Sequence, residues 1–253
     1  MVSKYRSAGK NLLVAGFALL ASQSAFADNI QLQGWWGGAG NVSLTLTSGV
    51  NYHTGTTGVS FTEAGGAGGF RTLNATTNEP TFESWCVDIF HNFNFGNPGS
   101  TVNVKVAASS IFGTNKAEDL GRLFTRHHTV IDGHNSTNND SAAFQLAVWE
   151  IVNETTGSTY SLANGAFKAS GTGAGTAQAW LLDLNSNHAA SMYRTDIWSV
   201  TNNTFQANGK PTWGAQDVAV FAPIPEPDTY AMMLAGLGLI GFIARRRTAG
   251  EQA

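Results

Sequence analysis

Charge is scarce in this chain of 253 residues: 12% of its positions are Asp, Glu, Lys or Arg, about half the usual share for a globular protein. Cysteine is scarcer still, with only Cys86. A lone cysteine excludes an internal disulfide, so this thiol is a buried filler, an intermolecular partner or a reactive group. A basic surface is missing too. Between residues 28 and 222 eight Lys/Arg stand against fourteen Asp/Glu, which argues against nucleic acid as a partner. No internal repeat of solenoid period is present. Glycine, by contrast, is plentiful at 29 residues, alongside many Asn, Ser and Thr. That texture belongs to an exported β-rich protein rather than a cytosolic enzyme.

Both ends read as targeting segments. Residues 1–27 have a positive start (Lys4, Arg6, Lys10), an apolar stretch from Leu12 to Ala21, and the small-residue site Ala25-Phe26-Ala27. This is the pattern of a secretory signal peptide cut between Ala27 and Asp28. At the other end, Pro225-Glu226-Pro227 is a rigid acidic turn, because two prolines fix φ and deny a helix. An uncharged run from Tyr230 to Ala244 follows, then Arg245-Arg246-Arg247. About fifteen residues at helical rise span roughly 22 Å, short of the ~30 Å hydrocarbon core. The basic cluster favours the cytoplasmic side of the bilayer.

Tripeptide, short span, arginine cluster and near-terminal position together resemble the PEP-CTERM sorting signal of bacterial envelope proteins. The resemblance covers residues 223–253. It implies export from a Gram-negative bacterium that makes an exopolysaccharide, transient retention in the inner membrane through residues 230–244, and cleavage near Pro225-Glu226-Pro227 by an exosortase-type transpeptidase. An ordinary C-terminal anchor is the alternative.

The body, residues 28–222, reads as one α+β extracellular unit. It is expected to be an antiparallel β-rich sandwich or barrel with about three short helices. Residues 29–112 have strand character: Val42, Leu44 and Leu46 alternate with polar neighbours, Val59 and Phe61 repeat the period, and Val102, Val104 and Val106 do so again. Alternation through Ser84–Phe90 places Trp85, Val87 and Ile89 on one face and Cys86, Asp88 and Phe90 on the other. Residues 115–185 form a helical insert. Asn115 with Glu118 suggests a capping box before the stripe Leu120, Leu123, Phe124, His127. A second helix, capped by Asp140 or Ser141, carries Phe144, Ala147, Val148, Ile151 and Val152. A third carries Ala177, Trp180, Leu181 and Leu184. Strands return over residues 195–222.

Cys86 on a strand and Gln145 on a helix, each beside aromatic residues, resemble the thioester domain of bacterial surface adhesins. Trp85-Cys86-Val87, followed by Asp88, matches its cysteine motif. Phe144-Gln145-Leu146-Ala147-Val148-Trp149 matches its glutamine motif, except that Glu150 stands where an apolar residue belongs. The resemblance implies that the Cys86 thiolate attacks the Gln145 carboxamide and releases ammonia. A nucleophile on a target, such as a lysine amine, then opens the bond. Trp85, Phe144 and Trp149 are the candidates for excluding water, with Phe90 the better shield of a thiol that alternation turns away from Trp85. Alternatively the two residues pack together without a bond, or lie apart.

Other chemistries compete. A thiol hydrolase needs a histidine beside Cys86, and His91, His127, His128 and His134 are the candidates. His127, His128 and His134 with Asp132 match no standard metal spacing, so no metal and no cofactor is expected. Trp35, Trp36, Trp198 and Trp213 suggest a noncovalent glycan binder if exposed. The expectation is therefore a non-enzymatic exported protein for adhesion or matrix attachment, with an exopolysaccharide or a surface protein as its ligand.

Overall fold

The computed structural model of the chain describes residues 28–96, 102–133, 136–155, 157–225, 232–241 and 243. The expected signal peptide with Ala27, the tail residues Glu226, Pro227, Arg245, Arg246 and Arg247, and His134 lie outside the described residues.

The chain opens with a long glycine-rich hairpin of β1 (Ile30–Val50) and β2 (Thr57–Asn74), then β3 (Phe82–Cys86) and β4 (Asn103–Ala107). Three helices follow: α1 (Ala108–Phe112), α2 (Thr114–His127) and α3 (Asn138–Asn153). Next come β5 (Phe167–Gly171), α4 (Ala174–Ser186) and β6 (Tyr193–Val200). The small hairpin β7 (Thr204–Phe205) and β8 (Pro211–Trp213) leads into β9 (Val218–Pro223). Seven strands make one sheet in the order β4-β6-β9-β3-β2-β1-β5, and every neighbouring pair is antiparallel. The body is thus α+β, as its sequence pattern suggests. An antiparallel bridge between Asp28 and Asn103, each N–H donating to the other's carbonyl at 2.8 Å, links β4 back to the residue just before β1.

α3 is the element the sheet wraps. Every residue from Ser141 to Asn153 is buried, and a helix covered all round has neighbours on every side. Here those are β1 and β2 on one side and α4 and α2 on the other. Its first turn is held by a capping box. Thr137 Oγ1 accepts from the Asp140 N–H at 3.2 Å, while Asp140 Oδ2 accepts from the Thr137 N–H at 3.2 Å. The cap is therefore Thr137, one turn before the expected Asp140 or Ser141, because the box needs its acidic partner three residues on.

Other expectations need correction. α2 starts at Thr114 with Gly113 before it at φ 82° and no side-chain cap, so Asn115 and Glu118 do not form the expected box. The supposed helical insert is interrupted by β5, which adds to β1 from Val42↔Gly171 to Leu46↔Phe167. Alternation holds in β1, where Val42, Leu44 and Leu46 are buried, but fails after Cys86. There β3 ends and the chain turns, with the Phe90 N–H donating to Asp88 Oδ1 at 2.8 Å. Trp85 through Phe90 are consequently all buried. Beyond the body, residues 232–241 are helical, with Met232, Leu234, Leu237 and Ile240 exposed. Among the described residues no helix is long and apolar enough to cross a membrane.

Glycine serves close approach in the hairpin. A Cβ on Gly68 would lie 2.4 Å from the Gly38 carbonyl oxygen, which is backbone and cannot step aside, whereas one on Gly65 would meet nothing within 4 Å. Gly68→Ala should therefore cost about 1–3 kcal/mol and Gly65→Ala about 0.5 kcal/mol or less. Urea midpoints of the two variants check this.

Candidate functional site

The register of β2 and β3 determines the geometry around Cys86. The pair runs Thr72↔Phe82, Arg71↔Glu83, Phe70↔Ser84 and then stops. Two more steps would set Cys86 opposite Gly68, but β2 stands clear of the ladder there. A buried main-chain N–H and C=O without partners cost about 1–3 kcal/mol each. Gln145 of α3 supplies both partners. Its Oε1 accepts from the Cys86 N–H at 3.0 Å, and its Nε2 donates to the Cys86 carbonyl at 2.7 Å. The carboxamide thus stands in for one residue of a strand. On its other side Cys86 pairs with Val218 of β9.

The two residues named by the sequence motifs are therefore in direct contact, 59 positions apart in the chain and both buried. The Cys86 thiol donates to the Asp88 carbonyl at 3.1 Å. Burial, and then the Asp88 charge, push its pKa well above the ordinary thiol value, so it rests as S–H. Trp149 lies one helical turn past Gln145. Its indole Nε1 is buried without a hydrogen-bond partner, yet stands close enough to the sulfur to work against that rise. Trp85 packs against Phe144 with ring centres 4.5 Å apart and planes tilted by 55°, so both belong to the wall around the pair. Phe90, the expected shield of the thiol, packs on Tyr52 and Phe61 instead, and the aromatic residue at the sulfur is Trp149. A cavity of about 100 Å³ opens where β2 parts from β3, lined by Gly65, Gly68, Phe70, His91, Gln145 and Trp149 among others.

Asp88 is the hub of a second buried cluster. Its Oδ2 meets His53 Nε2 at 3.0 Å and His91 Nδ1 at 2.6 Å. Burial alone would raise the Asp88 pKa, but these two contacts outweigh it and hold the carboxyl below its ordinary range. Asp217 stands beside it, its Oδ2 accepting from Ser199 at 3.0 Å and Tyr52 at 3.2 Å. Burial, then the Asp88 charge, raise the Asp217 pKa. Sequence reasoning named Asp88 and His91 but missed His53, Tyr52 and Asp217. These sit in a hairpin tip and a strand entrance that carry no motif.

The other candidates separate. Among the described residues no imidazole bonds the thiol, which donates to the Asp88 carbonyl instead. His127 stacks on Trp180 at 4.1 Å, and His128 turns back to the Phe124 carbonyl. Trp35 packs among Phe70, Phe93 and Phe95, and Trp198 is buried under Lys105. Trp36 is only partly exposed, so these three indoles form no open sugar-stacking platform. The side chain of Trp213 lies outside the described residues.

The tail is where comparison with known proteins speaks. The Ile224 N–H donates to the Met192 carbonyl at 2.8 Å, and Pro225, immediately after this tie, is exposed. Residues 223–247 match the PEP-CTERM protein-sorting motif. The chain carries a PEP-CTERM sorting signal. With that signal it is an exported protein, anchored in the membrane transiently and processed by an exosortase. The PEP-CTERM motif begins where the sheet ends, so its tripeptide follows directly on the last strand. No curated protein and no solved structure matches the chain.

Glu150, the residue that breaks the glutamine motif, is buried on α3. Its Oε1 accepts from the Ser161 N–H at 2.6 Å, while Oε2 has no partner. Burial pushes its pKa to about 8, and that of Glu83 to about 7. At neutral pH Glu150 is thus mainly a neutral carboxyl, which suits a place where the motif wants an apolar group. Both groups bind protons more tightly folded than unfolded. Their contribution to stability is complete below about pH 4.5 and is lost as the pH rises towards 8. Thermal melts should show that decline, and Glu150→Gln should flatten it. Removing the ladder substitute by Gln145→Met should cost about 2–4 kcal/mol, read by the same melts.

Proposed function

We propose that the body is a non-enzymatic surface module that attaches covalently to a target through a thioester between Cys86 and Gln145. One observation carries this reading: the Gln145 carboxamide is hydrogen-bonded to both main-chain groups of Cys86 inside a buried pocket. An amide is inert towards a thiol unless the two are held together, and such orientation contributes roughly 7–11 kcal/mol of the barrier. In the closing step the Cys86 sulfur bonds to Cδ of Gln145 and the Cδ–Nε2 bond breaks. The thiol proton leaves with the nitrogen as ammonia, so the exchange needs no oxidant or cofactor. The aromatic wall of Trp85, Phe144 and Trp149 keeps water from the acyl carbon.

Gln145 lines the cavity between β2 and α3 while remaining buried, and a target nucleophile would enter by widening that cavity. Attack at Cδ of Gln145 then transfers the acyl group from sulfur to the target and restores the Cys86 thiol. Outside the cell, such a bond would tie the exported protein to matrix or to a surface protein.

Intact mass of the protein recovered from its host should be lower by one ammonia than the mass of the processed sequence. Cys86→Ala should restore the full mass, and methylamine should add to the unmodified protein but not to that variant. A full mass together with a titratable thiol in fresh unmodified protein contradicts the thioester.

A further inference from the structure

We infer that His53, Asp88 and His91, with Asp217 as the fourth ligand, form a binding site for a divalent transition-metal ion, zinc being the natural occupant. This site adjoins the proposed thioester, since the Asp88 carbonyl accepts from the Cys86 thiol, but it does not depend on it. The donor atoms already converge. His53 Nε2 is 3.0 Å and His91 Nδ1 is 2.6 Å from Asp88 Oδ2, and Asp217 Oδ2 is 3.9 Å from His53 Nε2. The ligand atoms of His53, Asp88 and His91 all lie within 4.8 Å of one another. Four ligands at zinc-ligand bond lengths of about 2.0–2.2 Å stand about 3.3–3.5 Å apart in a tetrahedron. His53, Asp88 and His91 stand close to that spacing, whereas Asp217 lies outside their group of three and must move inward, from 3.9 Å from His53 Nε2, to join as the fourth ligand.

The chemistry of the donors selects the ion. Two imidazoles and two carboxylates suit zinc and its first-row neighbours, whereas calcium and magnesium prefer oxygen alone. The site is also built as a closed one. Asp88 and Asp217 are fully buried, His91 nearly so, and the His53 side chain is 10% exposed. Tyr52 stacks on His53 at 4.1 Å, and Phe205 covers both imidazoles at 5.0 and 4.9 Å. The carboxylates are oriented from outside the set: Phe90 N–H holds Asp88 Oδ1 at 2.8 Å and Val200 N–H holds Asp217 Oδ1 at 2.7 Å. Such outer contacts fix metal ligands in place. No Lys or Arg contacts either buried carboxylate among the described ion pairs.

The ligands come from three distant segments: the tip of the β1–β2 hairpin, the turn after β3 and the entrance to β9. One ion would therefore cross-link an exported fold that has no disulfide. The full chain, stripped with EDTA and kept in detergent, should take up one Zn²⁺ per molecule by elemental analysis. Its Tm should rise by about 5 °C at a hundredfold excess over Kd. Co²⁺ should give the intense visible bands of a tetrahedral centre on the unaltered protein, a readout that needs no variant. His53→Gln should abolish both effects, while Cys86→Ala and His188→Gln should keep them. Substoichiometric zinc without a cobalt spectrum overturns the site, as does uptake that His53→Gln leaves intact.

Discussion

A side chain completes the sheet where a strand leaves it. Because β2 joins β3 only from Phe70 onward, the main chain of Cys86 is left with an open N–H and C=O in the interior, and the Gln145 carboxamide closes both. Much of the rest follows from that bridge. It holds α3 against the sheet at one register, it brings a helix residue beside the only cysteine, and it leaves a cavity that Gln145 lines. The hydrogen bonds that stabilise the fold are the same ones that juxtapose thiol and amide. Structure and proposed reactivity thus share one set of contacts.

The departure of β2 has its own cause in the sequence. Glycines at 65, 66, 68 and 69 let the hairpin pass close to its surroundings. Gly68 lies against the Gly38 carbonyl and Gly69 against the Trp85 ring. The Gly69 N–H then donates to the Ser141 hydroxyl at 3.1 Å, and that hydroxyl reaches the Gly38 carbonyl at 2.8 Å. The start of α3 is therefore pinned to the hairpin at the point where β2 peels away. Shortage of charge fits the same design. A helix buried on every side has room for Glu150 only because that carboxyl keeps its proton near neutral pH.

What the sequence disclosed and what it hid divide along physical lines. Long periodic segments were legible: the alternation of Val42, Leu44 and Leu46, and the extent of α3 to Asn153. The Cys86 and Gln145 motifs were legible as a pair because each carries a local pattern. Short elements were not. β5 has five residues including a terminal glycine, and its strand character comes from pairing with β1 rather than from its own alternation. Period-two reasoning failed after Cys86, since the turn at Asp88 is set by side-chain to main-chain bonds that no periodicity records. The His53–Asp88–His91 cluster was hidden for a related reason. Its members stand 35 and 3 positions apart on loops, and only the fold brings them together.

Amide hydrogen exchange at Cys86 tests the central bridge most directly. In a Cys86→Ala background, where Gln145 keeps its carboxamide, the main-chain N–H at position 86 should be protected nearly as strongly as those of α3. Adding Gln145→Met should remove that protection and leave the β6–β9 pairing unaffected. Rapid exchange at position 86 with Gln145 intact, or protection that survives its replacement, would contradict the account.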